Sequence, residues 1–76
     1  INGKIKFIDT PDKNMLGIIK ENNDQKLLCV FNFTENTIIT DFADIKGKSL
    51  TYGSRDTRID NAELILPGFG FGYITL

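Results

Sequence analysis

The chain has 76 residues, with one cysteine, no histidine and no tryptophan. Nine basic and ten acidic residues give a formal net charge of −1 without any basic stripe, which argues against a nucleic-acid binder. No apolar stretch approaches the length that spans a bilayer. We therefore expect one small domain over residues 1–76, without a nucleic-acid or membrane partner.

The small size limits how stable such a domain can be. A chain of this length buries only about 60% of the surface that its unfolded form exposes, and small domains usually need a disulfide, a metal or a partner surface. Cys29 alone forms no internal disulfide, and a chain without histidine is a poor zinc binder. The sequence predicts no metal and no cofactor, a buried apolar role for Cys29, and support from a partner surface.

The first half of the chain alternates between strand-forming and turn-forming residues. Residues 4–8 predict a strand, with Ile5 and Phe7 on one side and lysines on the other. Residues 10–14 predict a turn around Pro11. Residues 15–20 and 26–33 predict a hairpin closed by the polar residues 21–25, and residues 37–41 predict a further extended segment.

The second half continues the same pattern. Residues 44–47 predict a loop, 48–52 a short strand and 53–61 an irregular segment. Residues 62–66 and 69–76 predict the last two strands, joined at Pro67 and Gly68. About seven short strands without a helical period predict an all-β fold, either a β-sandwich or an open barrel.

The strand over residues 26–33 is apolar on both faces. Leu28 and Val30 occupy one face, and the other carries Leu27, Cys29, Phe31 and Phe33. A strand of a free-standing sandwich should be polar on its solvent face. Two explanations stay open: a loop covers a central strand, or the second face, with Leu28 and Val30, packs on a domain outside this chain.

The residue types predict no catalytic site. Without histidine, a Ser-His-Asp or Cys-His arrangement cannot form. A glycosidase needs two carboxylates at a defined separation, but most carboxylates here fall in predicted turns. They are Asp9, Asp12, Glu21, Asp24, Glu35, Asp41, Asp44, Asp56, Asp60 and Glu63. No catalytic, cofactor-binding or metal-binding residue is therefore predicted.

Several short patterns have ordinary structural explanations. The glycine-rich residues 68–72 lack the following helix of a phosphate-binding loop, so Phe69, Phe71 and Tyr73 are expected to pack in the core. Most phenylalanines are expected to face inward, and Tyr52 is the aromatic residue expected to be exposed. The glycosylation pattern that begins at Asn32 is interpreted as a chance match.

Four segments resemble a known family. Residues 26–34, KLLCVFNFT, resemble the "LLVVxNFS/T" strand in the C-terminal domains of the α-amylase superfamily, glycoside hydrolase family 13. Residues 15–20 are similar to its "xxxAFxR" strand, with Lys20 in place of arginine. Residues 41–47 are similar to the "DLSxFxG" segment of its trehalose synthase and amylosucrase branch. Residues 66–73 resemble the closing "LPPYGFYWF", although Gly68, Phe69 and Gly72 replace a proline, a tyrosine and an aromatic residue.

The resemblance implies a Greek-key β-sandwich that packs on a catalytic (β/α)8 barrel of the same polypeptide. Such a barrel needs about 250 residues, so the family's catalytic residues would lie outside this chain and none transfers to it. The expected role is a non-catalytic C-terminal domain of a glycosidase or transglycosidase that acts on α-glucosides. A first residue other than methionine, Ile1, is what we expect of a segment from a longer protein.

Two alternatives remain. The first is a carbohydrate-binding module with a weak α-glucan contact, which Tyr52 and the fold class favour. The second is an immunoglobulin-like domain that binds partners through a sheet edge, which lysines on the expected edge strands, Lys4, Lys6 and Lys48, disfavour.

Overall fold

Eight β-strands and one short 3₁₀ helix form the part of the chain that the computed structural model describes, residues 4–76. The helix spans Ala43–Ile45 and lies between the fourth and fifth strands. The strands are β1 (Lys4–Ile8), β2 (Met15–Asn22), β3 (Gln25–Asn32), β4 (Ile38–Asp41), β5 (Leu50–Gly53), β6 (Arg58–Asp60), β7 (Glu63–Leu66) and β8 (Phe71–Thr75).

The strands form two antiparallel sheets. The large sheet has five strands in the order β1-β2-β3-β8-β5, and the small sheet has three in the order β4-β7-β6. The chain crosses between the sheets after β3, β4, β5 and β7, and β8 returns to lie between β3 and β5. The predicted fold class, a small all-β sandwich, is confirmed.

The β2–β3 hairpin is the element that the sequence predicts best. Asn22 pairs with Gln25, so Asn23 and Asp24 form a two-residue turn, and Asn23 adopts a positive φ of 52°. Two-residue hairpin turns require positive φ, which asparagine tolerates better than most residues. Both strands extend further into the predicted turn than expected, because a two-residue connection suffices.

The prediction is wrong for part of the second half. Residues 58–60, which were expected to be irregular, form β6. This strand pairs with β7, and the turn between them contains Asn61, whose φ is 61°. The expected loop over 44–47 overlaps the 3₁₀ helix. β6 has only three residues, and two of them, Arg58 and Asp60, are charged, so its alternation is too short and too polar to predict a strand.

The core lies between the two sheets and includes a residue of the 3₁₀ helix, Ile45. Its fully buried side chains come from both sheets and from the helix, and they are Leu28, Val30, Ile45, Leu64, Leu66 and Ile74. Burial of an aliphatic side chain of this size contributes about 1.5–3 kcal/mol. Phe42, which is 4% exposed, is the aromatic member of this buried cluster.

Two glycines near the C-terminal end are required by this packing. A Cβ at Gly68 would overlap the carbonyl oxygen of Glu35, so neither alanine nor proline fits this backbone. A Cβ at Gly72 would lie 3.0 Å from Leu50 Cδ1 on the core side, where no space exists for an aromatic ring. Packing therefore requires glycine at both positions.

Candidate functional site

The face of β3 that was expected to lie away from the core of this chain is the one that faces the core. Leu28 and Val30 are fully buried between the sheets, whereas Leu27, Cys29 and Phe31 point to the opposite side of the large sheet. Of the two explanations left open for this strand, the one in which Leu28 and Val30 pack on a domain outside the chain is therefore wrong. Alternation identifies two faces but does not say which is inside when both carry large side chains.

The side of the large sheet away from the small sheet, here called the outer face, is mostly apolar, with polar positions at one end of it, at Lys20, Asn22, Gln25 and Thr75. All five strands contribute to it, through Ile5, Phe7, Leu16, Ile18, Lys20, Leu27, Cys29, Phe31, Tyr52, Phe71 and Tyr73. Ile5, Phe7 and Tyr52 are 65%, 67% and 62% exposed. An antiparallel sheet that faces water normally carries polar residues on that side, so this composition is unusual for a solvent-facing sheet.

The edge strand β1 also has one apolar side and one polar side. Ile5 and Phe7 belong to the outer face, and Lys4 and Lys6 point to the other side, where they are also exposed. Both sides of this strand are open to solvent in the described structure, yet only one is polar. The apolar side is the one continuous with the outer face.

The small sheet shows what a solvated face looks like in this protein. Its side away from the core carries Arg58 opposite Ile65, and a row of three carboxylates on neighbouring strands, Asp41, Glu63 and Asp60. Ile39 is the exposed apolar residue of this side, at 61%. The two sandwich faces therefore differ sharply in charge, and the large sheet is the unusual one.

Three aromatic rings cluster at one end of the outer face. The ring centroids of Tyr52, Phe71 and Tyr73 lie 5.6 to 6.0 Å apart, and the rings are tilted by 40 to 43° to one another. These distances are typical of favourable aromatic pairs. The tilt means that the rings form a ridged surface instead of one flat platform.

A depression of about 260 Å³ lies at the middle of the outer face. Cys29 lines this depression. It is 6% exposed, so the prediction that its thiol is buried is confirmed. Burial raises the pKa of the Cys29 thiol, and the positive charge of Lys20 offsets part of this rise. The depression is lined by Ile5, Ile18, Lys20, Leu27, Cys29, Phe31 and Tyr73.

The expectation that most phenylalanines face inward is wrong. Phe7, Phe33 and Phe69 are 67%, 61% and 69% exposed, while Phe42 is the one in the core cluster. Phe71 lies on the outer face and is half-buried there. Tyr52 is exposed, as predicted.

Phe69 and its neighbours do not form the predicted core stripe. Phe69 precedes β8 with a φ of 54°, so it does not share the alternation of the strand. Tyr73 belongs to the outer face, and Gly72 occupies the core side. The prediction of aromatic core packing at this end of the chain is therefore wrong.

Asn32, at the end of β3, is 3% exposed and links the two sheets. Its Nδ2 donates to the carbonyl oxygens of Asn36, Leu66 and Pro67 at 2.7, 3.0 and 2.9 Å. Its Oδ1 accepts from the Thr34 backbone N–H and hydroxyl, both at 2.8 Å. A side chain held in this way is inaccessible to glycosylation in the folded chain, which agrees with the interpretation of the motif as a chance match.

The titratable groups of the described residues form no evident reactive centre. No group of three or more His, Cys, Asp or Glu side chains in residues 4–76 could hold a metal ion. Within the same range, the structure contains no helix long and apolar enough to cross a membrane. The outer face is therefore the feature of the described chain that most needs a functional explanation.

Comparison with known proteins leaves the family open. No protein-family model matches the chain, and no curated protein matches it. The resemblance to α-amylase-type C-terminal domains consequently rests on the four sequence segments. Sequence reasoning missed the outer face, although the alternation of apolar and lysine residues in β1 contained a signal for it.

Proposed function

We propose that this chain is a non-catalytic accessory domain that docks through its outer face on a larger domain of the same polypeptide. The observation that carries this proposal is the apolar composition of a sheet face on which Ile5, Phe7 and Tyr52 are exposed. Contiguous exposed apolar surface of this kind typically marks an interaction site. Covering it would also supply the support that a small domain without disulfides needs.

We propose further that the covering domain is the catalytic (β/α)8 barrel of an α-amylase-family glycosidase or transglycosidase that acts on α-glucosides. The support is the order of the four family-like segments along the chain. A barrel of this type presents an outer ring of helices, and a sheet face packs well on helices. In this proposal the chain stabilises the barrel and contributes no catalytic residue.

A charge on the outer face should destabilise the native polypeptide much more than the same charge elsewhere. Phe7→Lys replaces a side chain that is 67% exposed, and Ile39→Lys, on the small sheet, replaces one that is 61% exposed. Both changes should be mild for the domain itself, because surface substitutions usually alter stability little. In the native polypeptide, Phe7→Lys should lower the midpoint temperature of the first thermal unfolding transition by about 3 °C or more. Ile39→Lys should lower it by much less.

The native polypeptide also provides a direct check. Its mass, measured from source cells, should correspond to several hundred residues, because a barrel alone needs about 250. A native protein of only 76 residues would contradict the docking proposal. Equal midpoint temperatures for Phe7→Lys and Ile39→Lys would contradict it as well.

A second candidate is an α-glucan-binding surface, and the aromatic cluster is the observation that favours it. Tyr52, Phe71 and Tyr73 present neighbouring rings, two of which carry hydroxyl groups. Aromatic rings combine a large apolar surface with, in tyrosine, a polar group, which suits contact with sugar rings. Their mutual tilt makes them a weaker platform than a flat array.

The two candidates use the same surface and therefore exclude each other. If the outer face is free in the native protein, maltooligosaccharides at millimolar concentration should shift the amide resonances of β5 and β8, and Tyr52→Ala should abolish these shifts. Arg58→Ala, on the small sheet, provides the matched control. If the face is docked, the native polypeptide should show no shifts in these strands.

A further inference from the structure

Strand β1 depends on the core less than the strands around it. Residues 4–7 are exposed on both sides of the sheet, and no member of the buried core cluster of residues 4–76 belongs to this strand. Ile8 is its partly buried residue and packs against the cluster. The rest of β1 is held mainly by backbone pairing with β2. A segment with so few buried apolar contacts opens at a low free energy while the rest of the molecule stays folded.

The edge of β2 that β1 covers has a different character from β1 itself. Met15 and Gly17 are buried on β2, and three further apolar residues of this strand are partly buried. The outermost strand β1 instead carries two exposed lysines, which discourage the pairing of a further strand. When β1 opens, the unpaired backbone groups of β2 lie among apolar side chains, and an edge of this kind readily accepts another strand.

The structure shows which strand fits this edge, because β1 occupies it. All five residues of β1 have a defined opposite residue on β2, and Lys4 lies opposite the oppositely charged Glu21. Ile8 lies over Gly17, where a Cβ would come within 2.9 Å of Ile8 Cγ1. A second copy of this chain carries the identical segment, so its β1 would restore each of these pairs.

The connection between β1 and β2, residues 9–14, is long enough for β1 to leave its own sheet. It now forms a closed turn, in which Thr10 Oγ1 lies 2.7 and 2.9 Å from the carbonyl oxygens of Asp12 and Met15. Pro11 restricts Thr10 to extended conformations, and its own fixed φ also suits an extended chain. When extended, the connection spans about 20 Å, which is enough to reach the β2 edge of an adjoining copy.

We infer that β1 is an exchangeable strand, which leaves its own β2 and pairs with β2 of a second copy while the β1 of that copy takes its place. The two-fold dimer retains the strand pairs of the monomer and differs from it in the connection over residues 9–14. Each copy's own β1 competes at an effective concentration of about 1 mM, so the exchanged dimer forms at millimolar and not at micromolar protein concentration. The inference goes beyond the docking function and does not depend on it.

Hydrogen exchange of residues 1–76 tests the opening of β1. The N–H groups of β1 that pair with β2 should be at least about 100-fold less protected than those of β3 that pair with β8, because the core cluster stays intact when β1 opens. Their exchange should change little at low denaturant concentration, since this opening exposes little surface. Equal protection in β1 and β3, falling together with denaturant, overturns the inference.

Disulfide trapping tests the exchange itself. Ile5→Cys combined with Lys20→Cys, in a Cys29→Ser background, places two cysteines at opposite positions of β1 and β2. Oxidation at micromolar concentration should link the two positions within one chain. At about 1 mM it should also link position 5 of one copy to position 20 of another. Mass spectrometry of mixed isotope-labelled and unlabelled chains distinguishes the two kinds of link.

Glu21→Cys combined with Lys26→Cys is the matched control. These two residues lie opposite each other on the β2–β3 hairpin, and both side chains are partly exposed. Their strands cannot exchange without disrupting the core strand β3, so this variant should stay monomeric at both concentrations. Links confined to single chains at millimolar concentration overturn the inference. Equal yields of intermolecular links from the two cysteine pairs overturn it as well, because such links would come from random collision.

Discussion

Leu28→Asp is expected to prevent residues 1–76 from folding. Leu28 is fully buried in the core cluster, so the change removes apolar contacts and places a carboxylate where water does not reach. The lost burial alone amounts to about 1.5–3 kcal/mol, and the desolvation of the charge adds several more. A domain of this size has about 4–11 kcal/mol of stability in total. The expected spectrum is that of an unfolded chain, with collapsed amide dispersion and no cooperative melting.

Leu27→Asp is the matched control, because it makes the same substitution one residue earlier on the same strand. Leu27 lies on the outer face, is partly exposed, and pairs across the strands with Lys20. The introduced carboxylate would keep water and gain a cation opposite, so the variant should remain folded. If Leu28→Asp stayed folded and Leu27→Asp did not, Leu27 and not Leu28 would have to face the core.

This pair of variants marks the point at which sequence reasoning fails. The alternation along β3 is visible in the sequence, and so is the apolar nature of both faces. Alternation does not show which face of β3 packs against the small sheet. The choice of face depends on pairing with strands that are distant in the sequence, such as β8. The hairpin, by contrast, is encoded locally, by polar turn residues between two apolar runs.

The candidate site fails to appear in the sequence for a related reason. Its members come from five strands, and Phe7, Tyr52 and Phe71 become neighbours of one surface only after β8 inserts between β3 and β5. Aromatic residues are usually buried, so the sequence favoured the core for most of them. The lysines of β1 were informative, because they mark the polar side of an edge strand whose other side is apolar.

Asn32→Asp is the second substitution with a large expected effect, although it changes only one group. The Nδ2 group now donates to three carbonyl oxygens, and a carboxylate oxygen in its place would face all three as an acceptor. Asn32 is 3% exposed, so water cannot relieve the repulsion. Loss of a buried partner that leaves an uncompensated charge costs about 3–5 kcal/mol. Chemical denaturation of residues 1–76 at pH 7 should show this loss, whereas Asn36→Asp, at an exposed side chain, should change the stability little.

The pH dependence separates repulsion from a simple loss of packing. Burial and the three facing carbonyls would raise the pKa of the introduced carboxyl in the folded state above its unfolded value of about 3.9. The folded variant then binds more protons than the unfolded chain in the interval between the two pKa values, so its stability falls as pH rises through that interval. Below about pH 4 the protonated carboxyl can donate one hydrogen bond, and the deficit relative to wild type at the same pH should shrink. A deficit that stays constant from pH 3 to pH 7 would mean that the charge is not the cause, and that the loss of the Nδ2–H hydrogen bonds accounts for the effect.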